Sequence, residues 1–181
     1  MFPLRLEPNA SLFIVFRKKT HQHGSRQKEK QVVFDTLTNM HNTWNVAFDL
    51  SSGDSSETIQ MSGLTDWTNI NIGSIRNFSG TATYKQTFEL DAIPENDQQC
   101  WLDLGKVADL AEVWVNGNNC GIAWTYPFRV NISAAVRRGE NTLMLKVTNT
   151  WRNRLIGDHE LSTENKNTWT TAPYRLSLIH I

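Results

Sequence analysis

From residue 43 onward, apolar and polar residues alternate in short runs. "TWNVAFDL" (43–50) sets Trp44, Val46, Phe48 and Leu50 on one side, and "TLMLKVTNTW" (142–151) does the same with Leu143, Leu145 and Val147. "GTATYKQTFELD" (80–91) and "QCWLDLGKV" (99–107) repeat the pattern. A period of two is the signature of a half-buried strand. "ETIQMSGLTDWT" (57–68) reads as a short strand running into a Gly-broken loop, and "FRVNIS" (128–133) as another strand. "LAEVWVNGNNCGIAW" (110–124) reads as a strand, an Asn116-Gly117 turn and a return strand, because Asn-Gly tolerates the positive φ of a tight hairpin. "AAVRRGEN" (134–141) allows at most one helical turn before Gly139. Short strands at this spacing, with little helix, predict an all-β fold. The long connections 51–56 and 68–79 favour a jelly-roll β-sandwich over an up-and-down barrel.

The N-terminal third departs from this rhythm. "SLFIVFRK" (11–18) reads as a strand by its β-branched and aromatic content. It breaks into "RKKTHQHGSRQKEK" (17–30), with six Lys or Arg against one Glu and no aromatic interleaved to stack bases. An isolated strand cannot bury its own face. Residues 1–17 are therefore read as the last strand of a truncated preceding domain, 18–42 as a basic polar linker and 43–173 as the sandwich.

Composition narrows the function classes. Formal net charge is zero over 181 residues, so no global field steers the chain to nucleic acid or to an acidic membrane surface. No run approaches the ~20 apolar residues of a membrane span. The start lacks a basic n-region, and Arg5 and Glu7 interrupt its apolar stretch, so no signal peptide is expected in this chain. Cys100 and Cys120 are too few for a disulfide framework and read better as small core residues than as a pair. His21 and His23 lack a neighbouring Cys, Asp or third His, so no metal site is expected there. Seven Trp, eight Phe and three Tyr are unusual. Ring faces stack on pyranoses, but large rings also fill sandwich cores.

Candidate chemistry is sparse. Glycoside hydrolysis needs two carboxylates facing each other across a sugar. Asp103, Asp109, Glu112, Asp158 and Glu160 are the available acids; Asp103 and Glu112 lie in strands that turn them outward, and neither reads as pocketed. Nothing resembles a nucleophile elbow. No catalytic residue is therefore assigned. "WRNRLIGD" (151–158), after the last strand, is the densest polar cluster. Asn153, Arg154 and Asp158 could bind a sugar or a neighbouring domain, or an Arg154–Asp158 pair could fix the loop from within. Trp124 and Tyr126 flank Pro127, which has no N–H for a ladder, so they lie at a bend between strands. Phe128, Val130 and Ile132 are the inward set after it. Trp114 alternates with Val113 and Val115, which turns it outward or under a neighbouring domain. Asp66 could cap its loop, or serve as a loop oxygen for a structural calcium ion. No other cofactor is expected.

"LTDWT" (64–68), "IRNFSGTATYKQTFEL" (75–90), "LDLGKVADLAEVWVNG" (102–117), "GIAWTYPFRVNI" (121–132) and "GENTLMLKVTNTWRNRLIGD" (139–158) follow one another in order. Together they resemble the C-terminal β-sandwich of bacterial α-L-rhamnosidases of glycoside hydrolase family 106. That module is similar to the galactose-binding-like jelly roll of glycoside hydrolase family 2. "PLRLEPNASLFIVFR" (3–17) resembles the end of the preceding domain in the same enzymes. The resemblance implies a large secreted or periplasmic enzyme acting on plant or pectic polysaccharide. Its catalytic (β/α)8 barrel would lie upstream of residue 1 in the same parent chain, and that barrel and carbohydrate are the implied partners. The tail "APYRLSLIHI" departs from the relatives, and 174–181 is set apart as a terminus that need not be native. Three functions follow: a non-catalytic accessory sandwich of such an enzyme, a free-standing carbohydrate-binding module, or a purely structural interdomain module.

Overall fold

The computed structural model describes residues 6, 11–15, 17, 33–50, 56–94 and 98–171. Among the described residues eight strands are formed: β1 (Trp44–Asp49), β2 (Ser56–Met61), β3 (Thr81–Leu90), β4 (Trp101–Asp103), β5 (Leu110–Val115), β6 (Asn118–Ala123), β7 (Arg129–Asn131) and β8 (Gly139–Thr148). Six make one antiparallel sheet in the order β2-β1-β3-β8-β5-β6, and β4 and β7 pair as a second, smaller layer. The fold is the predicted β-sandwich. The alternation that predicts it is visible in the burial: Trp44, Val46 and Phe48 of β1, and Leu143, Leu145 and Val147 of β8, all point inward.

The β3–β8 pair is the longest, running from Thr81 opposite Thr148 to Leu90 opposite Gly139. Buried asparagines hold its two ends. Near one end, the fully buried Asn141 accepts at Oδ1 from Arg137 N and Asn116 Nδ2 and donates from Nδ2 to the carbonyls of Arg137 and Gly139. Asn116 has φ 51 at the β5–β6 turn, and its Oδ1 accepts from Thr142 N at 2.9 Å. The "VNG" and "GEN" segments are therefore one hydrogen-bonded lock between a turn and a strand. At the other end, Asn149 donates to Phe78 O and accepts from Gly80 N, both at 2.9 Å.

One end of the core is aromatic. Phe48, Trp67 and Phe78 meet edge to face, with centroids 5.2 to 5.5 Å apart, a favoured arrangement for ring pairs. Trp67 sits in a 3-10 turn (Trp67–Asn69) capped by Asp66, whose Oδ1 accepts from Thr68 N and Oγ1. A short helix, α1 (Gly73–Arg76), follows. Trp67 Nε1 donates to the Tyr84 hydroxyl, and burial pushes the Tyr84 pKa up to about 12 against that bond.

Several local readings are corrected. Ser11–Val15 form no strand, and Phe13 is 91% exposed. A strand needs a partner edge, and none among the described residues meets this segment. Of the expected linker, 18–32 lies outside the described residues. Residues 33–42 are exposed apart from the half-buried Met40, and two contacts tie them to the sandwich: the Arg129 guanidinium lies 4.8 Å from the Phe34 ring, and Asn42 Nδ2 donates to Thr87 O. The strand expected over 99–107 shrinks to Trp101–Asp103, because the Asp103 carboxylate turns back onto Gly105 N and Gly105 takes φ 67. Residues 172–181, which include the terminus set apart above, lie outside the described residues.

Gln86 stands in the inward row of β3 between Tyr84 and Phe88, buried, with neither amide atom hydrogen-bonded. An unpaired buried amide costs about 1–3 kcal/mol. Gln86→Met keeps the length and removes both polar atoms. It should raise stability in urea unfolding by roughly 1–2 kcal/mol; a loss would show that Gln86 has a polar partner.

Candidate functional site

"WRNRLIGD" is a helix, not the loop that sequence suggests: α2 spans Arg152–His159. Arg152, Arg154 and Leu155 favour a helix while Asn153, Gly157 and Asp158 do not, and Arg154 and Asp158 stand at i,i+4, where side chains meet on one face. Arg154 Nε lies 2.9 Å from Asp158 Oδ1. The internal pair weighed for this cluster is thus present. Asp158 Oδ2 accepts from Thr168 N (2.7 Å), Thr168 Oγ1 (2.8 Å) and Asn167 N (3.1 Å). At 1% exposure this carboxylate cannot reach a ligand in solution. Burial pushes its pKa up, but the Thr168 hydroxyl and amide and the Arg154 guanidinium outweigh that and hold it below the usual aspartate value.

The helix is also stitched to the loop before β3. Arg154 N donates to Ser79 Oγ at 2.9 Å. A Cβ on Gly157 would lie 2.6 Å from Asn77 Cβ, so only glycine allows this approach. With Asn149 holding Phe78 and Gly80, "NFSG" and "NTWRNRLIGD" form one interlocked corner. Sequence reasoning picked out Asn153, Arg154 and Asp158 but missed Asn149, Ser79 and Gly157, which do equal work there. Their signal is a long-range pairing that no local pattern carries. Asn153 is 1% exposed, and neither of its amide atoms has a hydrogen-bond partner.

The aromatic candidates lie elsewhere. Trp124 and Tyr126, in the connection from β6 to β7, are 71% and 49% exposed. Phe128 is half-buried against the core, as its inward parity requires. Trp114 is on the outer face of the large sheet, half-buried, with Lys146 Nζ 5.5 Å from its ring and its own Nε1 unpartnered. The structure brings Arg154 and Asp158 together. It keeps Trp124 and Tyr126 at the bend and Trp114 on the sheet face.

A cavity of about 1380 Å³ reaches residues of both sheets. Val33–Met40, inward residues of the large sheet such as Tyr84 and Leu145, and Trp101, Asp103 and Arg129 of the small one line it. Asp103 Oδ2 accepts from Arg129 Nε at 2.8 Å. Burial raises the Asp103 pKa, and the Arg129 and Gly105 contacts more than reverse it. Cys100 and Cys120 are both free thiols, and burial pushes both up. Among the described residues no three His, Cys, Asp or Glu side chains gather as a metal site. No helix among them is long and apolar enough to cross a membrane.

Residues 64–177 match the family described as glycosyl hydrolase 2 galactose-binding domain-like. The chain belongs to this family. The galactose-binding-like match takes in β3 to β8 and the α2 corner together. Over 120 residues, 66% of the chain, it is 41% identical to a Formosa agariphila protein named "Putative beta-glucuronidase", of which it spans only 10%. The solved rhamnosidase from Novosphingobium sp. PP1Y superposes with a TM-score of 0.69 and 33% identity over 86% of the chain. This chain spans 16% of that enzyme. A galactose-binding-like domain is thus a small part of each much larger relative.

Asp158 makes the corner pH-sensitive. Its folded pKa is depressed, so its contribution to stability is complete above the unfolded value of about 3.9 and is lost as pH falls through the folded value. Asp158→Asn should cost about 2 kcal/mol at neutral pH, because bonds to a charged acceptor are lost. It should also flatten the acid limb of a stability–pH profile measured by urea unfolding. An unchanged limb would contradict this assignment.

Proposed function

We propose that this chain is a non-catalytic accessory sandwich of an α-L-rhamnosidase-like glycoside hydrolase of family 106. The parent enzyme is exported and acts on plant or pectic polysaccharide, with its catalytic barrel upstream in the same chain. The observation that carries this reading is the likeness to the Novosphingobium rhamnosidase at 33% identity over 86% of the chain. The chemistry within the domain supports it. The densest polar cluster is spent on holding α2 to the 77–80 loop, and the Asp158 carboxylate is consumed by four internal bonds. Asp103 is paired with Arg129, and Glu112 Oε1 accepts from Asn119 at 2.7 Å. No two of these acids form the facing pair that hydrolysis needs.

In this reading the domain buttresses the barrel. Trp124 and Tyr126, at the β6–β7 bend, supply ring surface to the polysaccharide or to the barrel's edge. Exposed rings beside a bend suit either partner, since each offers apolar area with a polar tip.

The isolated 181-residue chain should not hydrolyse aryl α-L-rhamnosides or aryl β-D-glucuronides above the buffer rate; steady turnover would overturn the proposal. In the parent enzyme, Trp124→Ala with Tyr126→Ala should lower kcat/KM on polysaccharide several-fold. The same pair should leave kcat on the aryl glycoside unchanged.

A further inference from the structure

The face of the small sheet turned away from the large one, whose Trp101, Asp103 and Arg129 also line the cavity, carries a second arrangement. Leu102 of β4 and Val130 of β7 are buried, so their neighbours point the other way. Trp101 stands opposite Asn131, and Asp103 opposite Arg129. Opposed residues in an antiparallel pair share a face about 5 Å apart, and alternate residues along a strand lie about 7 Å apart. The four side chains thus form a patch with the footprint of one hexopyranose ring.

Each member is held. Trp101 is 43% exposed, and its Nε1 donates to Gln99 Oε1 at 3.1 Å, which pins the indole. Among the exposed tryptophans it is the one carried on a strand; Trp124, Trp151 and Trp169 are not. Arg129 is clamped between the Asp103 carboxylate and the Phe34 ring. Asp103 accepts from Arg129 Nε and Gly105 N, and each oxygen keeps a second lone pair. Asn131 accepts from Ser133 N at 3.0 Å, which orients its amide and leaves Nδ2 as a donor.

We propose that Trp101, Asn131, Asp103 and Arg129 form a binding site for a neutral hexopyranoside on the outer face of the β4–β7 sheet. The ring of Trp101 stacks on the sugar's apolar C–H face, Asp103 accepts from hydroxyls and Asn131 donates to them. The Asp103–Arg129 pair cancels in charge, so the site selects an uncharged sugar over a uronate. Only the choice of sugar as ligand class rests on the accessory-domain reading; the site itself rests on this face.

The test is a ¹H–¹⁵N NMR titration of the whole chain with L-rhamnose, D-galactose and a neutral galacto-oligosaccharide, at low and high salt. Saturable shifts should centre on the Trp101 indole and the Asn131 amide and be indifferent to salt. Trp101→Ala should weaken binding at least about tenfold, the scale of a well-made ring contact. Asn131→Ala should weaken it several-fold. Both variants alter exposed side chains, and melting curves matching the parent chain show that the fold is kept. Shifts centred on Trp124 and Tyr126, or no saturable response to any of the three probes, would overturn the proposal. Absence of binding leaves the accessory reading standing, whereas turnover by the isolated chain strikes that reading and not this site.

Discussion

The structure depends on the pairing of β3 with β8. These two strands form the middle of the six-stranded sheet, and everything else attaches to their flanks or their ends. Their inward rows bury Ala82, Tyr84, Phe88, Leu90, Leu143, Leu145 and Val147, and β1 and β5 extend this apolar face on either side. Because a one-residue slip would turn both rows outward, the register must be fixed. Asn141 near one end and Asn149 at the other fix it with buried hydrogen bonds to loops that approach from elsewhere in the chain. A buried amide left unpaired is costly, so each asparagine enforces its loop's position as well as the register.

That constraint reassigns the most suggestive sequence in the chain. Arginines, an asparagine and an aspartate just after a strong strand invite a ligand-binding reading. Once Asn149 holds Phe78 and Gly80, the next turn of chain must pass close to Asn77 and Ser79. Gly157 permits the approach, Ser79 receives the helix amide, and Asp158 fastens Asn167 and Thr168 beneath it. Polarity here is the means by which a helix is joined to a sheet whose apolar face is already used. Exposed ring surface is found at the β6–β7 bend and on the β4–β7 sheet, and Trp151 and Trp169 expose theirs beside the corner.

The strands were legible because alternation reports burial directly, and the Asn116-Gly117 hairpin because its turn demands positive φ. Legibility failed where the deciding contact is distant in sequence. The 152–159 segment has too short and too polar a pattern to read as helix, and what stabilises it, Ser79 and Thr168, lies outside any local window. The segment 11–15 has strand propensity without a partner edge among the described residues, and propensity alone does not make a ladder. At the tail of the expected linker Phe34 meets Arg129, a contact that a charge count along 17–30 could not indicate.

The central claim is that the polar corner around α2 is part of the fold's framework, not a surface awaiting a ligand. Amide hydrogen exchange on the free chain tests it most directly. Gly80 N, Arg154 N and Thr168 N are bonded to Asn149, Ser79 and Asp158, so they should exchange slowly and together with the amides of β3 and β8. Rapid exchange at these three amides, beside slow exchange in the strands, would contradict the account.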